Sequence, residues 1–106
     1  MKEKANLDHV DQIAGGDEEF RDKFLAILKD EFPVERDEYI SSIQQKDYAN
    51  AFQIVHKVKH KLNLLSLFKS HKVAVNHEKE LRNNQNELHT EFMAILDYVD
   101  MYLKSI

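Results

Sequence analysis

The chain has 106 residues, nineteen Asp and Glu against fifteen Lys and Arg, a net charge of -4, 42% hydrophobic residues, two glycines, one proline and no cysteine. That length suits one domain, residues 1-106, around a single core, and so little Gly and Pro points to an ordered helical chain, because sheets need many more turn residues. Lack of cysteine excludes disulfides, thiol catalysis and zinc-thiolate sites, and the acidic balance argues against general affinity for nucleic acid, where Lys and Arg must dominate.

Leu7, Val10 and Ile13 recur at helical spacing before Ala14-Gly15-Gly16, whose permissive backbone ends a short leading helix. Asp17 is the expected N-cap of the first long helix; Glu18 and Glu19 complement its dipole, and Phe20, Phe24, Ile27 and Leu28 form the expected buried stripe. Pro33 disfavours helical geometry at Phe32 and removes a donor, so a kink or a break is expected there, with helix resuming through Val34, Ile40 and Ile43. Asp47 caps the next helix, whose seam is Ala51, Val55, Val58, Leu62 and Leu65. Ser66 to Ser70 interrupts the pattern, Ser70 is a plausible cap, and Val73, Ala74, His77 and Leu81 outline a shorter helix ending at Arg82-Asn83-Asn84. Asn86 is the expected cap of the last helix, with Leu88, Phe92, Ile95, Val99 and Tyr102 as its stripe and Leu96 and Leu103 widening it. Short polar connections favour antiparallel neighbours, so the expected fold is all-α, an up-down-up-down four-helix bundle with a short extra N-terminal helix.

The charges are segregated. From Tyr48 to His77 there is no acidic residue, yet this segment holds Lys57, Lys59, Lys61, Lys69, Lys72 and four of the six histidines. Within it, the run HKVKHKLN puts His56, Lys59, His60 and Asn63 within two turns, where residues three and four apart share a face. With the apolar seam set at zero on a helical wheel, these residues and Phe52 fall on the flank and outer face, so His56 is expected to be exposed. An imidazole in water titrates near about 6.5 and is largely neutral at pH 7, leaving one ring nitrogen lone pair as a nucleophile. Lys59, one turn on, would stabilise an anion there, with Lys57, Lys61 or His60 as further contacts. The other lysines of the segment are read as a solvated face, His9, His71 and His89 as polar surface, and His77 as a hydrogen-bonded flank residue.

At these residues the chain resembles a family. AFQIVHKVKHKLNLLSL is similar to the signature helix of histidine-containing phosphotransfer (HPt) domains, in which a phosphorylatable His is followed three positions later by Lys. The opening LDHVDQIAGGDEEFRDKFLAIL also resembles the start of such domains, so the likeness covers most of the chain. It implies that His56 is the phosphoacceptor and Lys59 steadies the phosphoryl group. It also implies exchange with the Asp of response-regulator receiver domains in a pathway fed by a hybrid histidine kinase, with Mg²⁺ on the receiver and no cofactor on this chain. The chain departs from the pattern at His60 and Ser66, where the family commonly has Gly; Phe52, His60 and Asn63 are the expected docking residues. No Gly-rich phosphate loop is present, so autokinase activity is not expected. A monomer is expected because no further heptad seam is visible. The opening residues lack the apolar core of a signal peptide and no stretch approaches a membrane span, so a cytoplasmic address is the default.

Two other classes of function fit parts of the pattern. His56 and His60, with His77 and Glu78 on a neighbouring helix, would make a metal site. Phe52, Leu64 and Leu67, if exposed together, would form the contact patch of a non-catalytic helical adaptor.

Overall fold

A computed structural model describes residues 3–106 and contains, among them, five helices and no strand: α1 Asp8–Ala14, α2 Glu18–Gln44, α3 Tyr48–Leu64, α4 Phe68–Arg82 and α5 His89–Ser105. None is long and apolar enough to cross a membrane. The first two boundaries follow the local chemistry. Gly15 closes α1 at φ +59, and a Cβ there would meet nothing within 4 Å, so the left-handed backbone is the reason for glycine, not lack of space. Asp17 caps α2 by accepting the Phe20 N–H at 3.1 Å, and Asp47 caps α3 by accepting the Asn50 N–H at 3.1 Å.

Elsewhere the boundaries are set from a distance. Ser70 is not a cap. α4 starts two residues earlier, and its Lys69 and Ser70 N–H groups, at 3.0 and 2.7 Å, are taken by the two carboxylate oxygens of Glu3. Nor does Asn86 cap α5, which starts at His89; the Leu88 N–H donates to Glu80 of α4 at 2.9 Å. Each acid satisfies donors that a helix start leaves without intrahelical partners. Ser66 turns the chain between α3 and α4 at φ +63, a conformation that favours glycine.

α2 runs unbroken through Pro33, so of the expected kink or break the break does not occur. Pro33 is exposed, where the carbonyl one turn back can turn to water, while buried Leu28, Phe32 and Tyr39 anchor the turns on both sides. The expected stripe on its first turns is also only partly inside. Leu28 is buried and Phe24 half-buried, but Phe20 and Ile27 are 44% and 53% exposed. Length explains this: α2 has 27 residues where α3 and α5 have 17, an excess of roughly 15 Å at 1.5 Å per residue. Lys29 already meets the carbonyl of Ile106, so the turns before it lie past the end of α5.

Apart from Val10 of α1, the buried hydrophobic residues form one cluster contributed by α2 to α5 and the α3–α4 turn. On α3 it contains all five expected seam residues and Ile54; on α5 it is centred on Phe92, Leu96, Val99 and Leu103, with Ile95 and Tyr102 at its edge. Helix-to-helix contacts are concentrated between α3 and α4 and between α2 and α3, with smaller contacts of α5 on α2 and α4. Cross-helix pairs fix which ends meet: Phe52 lies by Arg82 and His56 by Glu78 between α3 and α4, and Arg36 pairs with Asp97 between α2 and α5.

A polar chain crosses this core. Tyr39 Oη lies 2.8 Å from His77 Nε2 and 2.7 Å from His89 Nδ1, while His77 Nδ1 is 3.2 Å from Glu80. One arrangement satisfies every member: His77 donates from Nδ1 to Glu80 and accepts from the Tyr39 hydroxyl, whose oxygen accepts from His89. His89, read as polar surface, is thus part of this buried chain. Burial holds His77 below its ordinary 6.5, only partly offset by the Glu80 hydrogen bond, and burial raises the Tyr39 phenol.

The sign of the pH effect follows. As pH falls below 6.5 the unfolded chain takes up a proton at His77 that the folded chain refuses, so stability present above that pH is lost on acidification. The urea midpoint is expected to be lower at pH 5.5 than at pH 7.5, and an unchanged midpoint would contradict the buried neutral imidazole. Tyr39→Phe removes a partner from both histidines and is expected to cost about 1–3 kcal/mol at pH 7.5 by urea unfolding. Ser66→Gly should instead stabilise by about 1 kcal/mol in the same assay by relieving the left-handed backbone.

Candidate functional site

The exposed flank of α3 meets α4 at Glu78. Its Oε2 lies 2.9 Å from His56 Nδ1 and its Oε1 lies 2.7 Å from Lys59 Nζ. Burial is graded across the three side chains, which are 53% exposed for His56, 19% for Lys59 and 8% for Glu78. His56 and Lys59 are three residues apart and therefore neighbours on one face of α3, so a single carboxylate from the facing helix reaches both.

Electrostatics fix the protons. Burial of Glu78 opposes its ionisation, but hydrogen bonds from Lys59 and His56 outweigh that and leave the carboxyl below its ordinary value. An ionised carboxylate can only accept, so the proton between Glu78 and His56 belongs to Nδ1 of the imidazole. Nε2 of the neutral ring is left as a lone pair. The site therefore presents an oriented ring nitrogen nucleophile on the protein surface. Lys59 spends one of its three N–H groups on Glu78 and keeps two for an incoming anion.

The other expected residues divide. His60 is exposed beside His56, with ring centroids 5.0 Å apart and planes at 88°. Burial first, then the charges of His56, Lys59 and His71, hold it below its ordinary value, so at pH 7 it offers a neutral N–H and not a charge. Phe52 is half-buried one turn before His56, with the Arg82 guanidinium 5.0 Å from its ring centroid. Asn63 is half-buried one turn beyond Lys59, and its side chain makes no hydrogen bond among the described residues.

Lys61 does not belong to the site. It is buried on the α2 side of α3, 3.0 Å from both Glu31 and Glu35, and so is neither a solvated lysine nor within a phosphoryl group's reach at His56. The proposed metal set is not assembled either. His77 is fully buried, with both ring nitrogens occupied by Tyr39 and Glu80, and no group of three or more potential ligands gathers among the described residues. The adaptor patch fails on burial, because Leu67 is 1% exposed and belongs to the core.

Glu78 is the residue that sequence reasoning misplaced, treating it only as a metal ligand. A signal was present: it lies four residues after Ala74 and three before Leu81, both buried, so its carboxylate had to lie on the inward face of α4. Comparison with protein-family models, with curated proteins and with solved structures finds no match to this chain.

Glu78→Gln tests the tautomer. Long-range ¹H–¹⁵N correlation spectra of the wild type should show the neutral form of His56 protonated at Nδ1; in the variant that tautomer should lose its dominance. A dominant Nε2–H form in the wild type would contradict the assignment.

Proposed function

We propose that this chain is a histidine phosphotransfer module of the HPt type, a single domain built as an antiparallel up-down-up-down four-helix bundle with the short α1 at its start. One observation carries the reading: an exposed imidazole whose Nδ1 is held by a buried carboxylate that also holds the lysine one turn away. The HPt-like His56 and Lys59 spacing supports the same role.

The chemistry balances without a group from this chain other than its side chains. The Nε2 lone pair of His56 attacks phosphorus of an aspartyl phosphate on a response-regulator receiver domain. The P–O bond to the aspartate breaks, the carboxylate leaves on the partner, and an N–P bond forms. The Nδ1 proton stays in place, and the ionised Glu78 compensates the positive charge that develops on the ring. Lys59 turns its remaining N–H groups to the phosphoryl oxygens, and neutral His60 supplies a further donor. The reverse sequence hands the group to another receiver Asp. Mg²⁺, where transfer needs it, belongs to the receiver. The upstream donor is a hybrid histidine kinase pathway; this chain acts in the cytoplasm, as a monomer, without binding ATP, nucleic acid or membrane.

A phosphorylated receiver domain incubated with the protein is expected to label His56 with an acid-labile, base-stable phosphoryl group, and His56→Gln should take up none. Glu78→Gln should slow transfer about tenfold to a hundredfold, by analogy with the cost of removing the carboxylate behind a metal-ligating histidine. Absence of label across several competent receivers, with the protein folded, overturns the reading.

A further inference from the structure

A groove of about 520 Å³ runs between α3 and α4 on one side of His56. Phe52 and Val75 supply its apolar lining, while Lys57, Lys79 and Arg82 contribute cationic groups. Among the described residues the only acid lining it is Glu78, already occupied by Lys59 and His56. By contrast, Lys57, Lys79 and Arg82 have no carboxylate partner among the described residues. On a chain of net charge -4, many other cations are paired: Arg21 with Asp11, Arg36 with Asp97, Lys61 with Glu31 and Glu35, and Lys104 with Asp100. Leaving three unneutralised beside the nucleophile sets up a local field opposite in sign to that of the whole protein.

We infer that this groove docks an acidic amphipathic helix of the partner, its apolar side chains on Phe52 and Val75 and its carboxylates on Lys57, Lys79 and Arg82. Helix-in-groove recognition needs an apolar trough with charged borders, and the sign of those borders selects the partner. Arg82 is the strongest contributor. Its cation–π contact with Phe52 holds a planar fork suited to bidentate carboxylate binding at the end of the groove. Because the groove opens beside His56, a helix seated in it brings the rest of its domain over Nε2. Contacts there govern encounter rate and partner choice, while Glu78 and Lys59 govern the transfer step.

The inference rests on the phosphotransfer reading for the identity of the partner, and two measurements separate them. The first uses no chemistry: a fluorescein-labelled amphipathic helix of leucine and glutamate is titrated with the protein by anisotropy, beside a twin carrying lysine for glutamate. The glutamate peptide should bind and the lysine peptide should not. Lys79→Gln/Arg82→Gln should weaken binding at least about tenfold, as should raising NaCl from about 50 to 500 mM. Equal binding of the two peptides, or indifference to the double substitution, overturns the inference. The second compares phosphoryl donors. Phosphoramidate, whose P–N bond breaks with loss of ammonia as the N–P bond forms at Nε2, needs no docking helix. The double variant should accept from it at the wild-type rate, while kcat/KM for transfer from a phosphorylated receiver falls about tenfold. Equal loss with both donors, or loss with neither, refutes docking through these residues. Failure of phosphoramidate to label wild-type His56 sinks the phosphotransfer reading alone, and the peptide titration still decides the groove.

Discussion

A carboxylate taken out of water must be given partners, and at Glu78 those partners are His56 and Lys59. Burial alone would favour the protonated acid, which could donate to the imidazole and leave its tautomer open. Two donors from α3 reverse that balance, and the ionised form in turn dictates the proton position on His56. The orientation of the nucleophile, the placement of Lys59 and the seam between α3 and α4 are therefore one interaction viewed from three sides. None of them can be altered without disturbing the others.

The same logic organises charge across the molecule. The stretch from Tyr48 to His77 has no acid of its own, yet the lysines at its inner positions are neutralised by α2 and α4. Lys61 turns one way, to Glu31 and Glu35, and Lys59 the other, to Glu78, though they are only two residues apart. α3 thus sends one ion pair towards α2 and another, with His56, towards α4. A segregated primary sequence becomes a partly compensated structure, with uncompensated positive charge left beside His56.

How much of this could be read in advance depended on the range of the causes. Asp17, Asp47 and Gly15 act on groups within four residues, and the elements they bound were recoverable. The inward seam of α3 and the exposure of His56 also follow from periodicity alone. What escaped was non-local. Leu67, a candidate for an exposed apolar patch, is buried in the turn after α3, and Phe20 and Ile27 looked buried because nothing in the sequence says that α5 stops beside Lys29. Glu78 was hidden for a related reason: a carboxylate at an apolar helical position is a puzzle until the facing helix supplies its cations.

The caps carry this distinction further. α2 and α3 each begin on an aspartate of their own, whereas α4 begins on Glu3 and α5 on Glu80. The first pair can nucleate from neighbouring sequence, whereas the first turn of α4 is completed by a residue 66 positions away and that of α5 by one eight positions back on α4. Since α4 bears Glu78, Glu3 helps fix the start of the helix that orients His56. His56 is thus held by a helix that is itself tethered at its first turn.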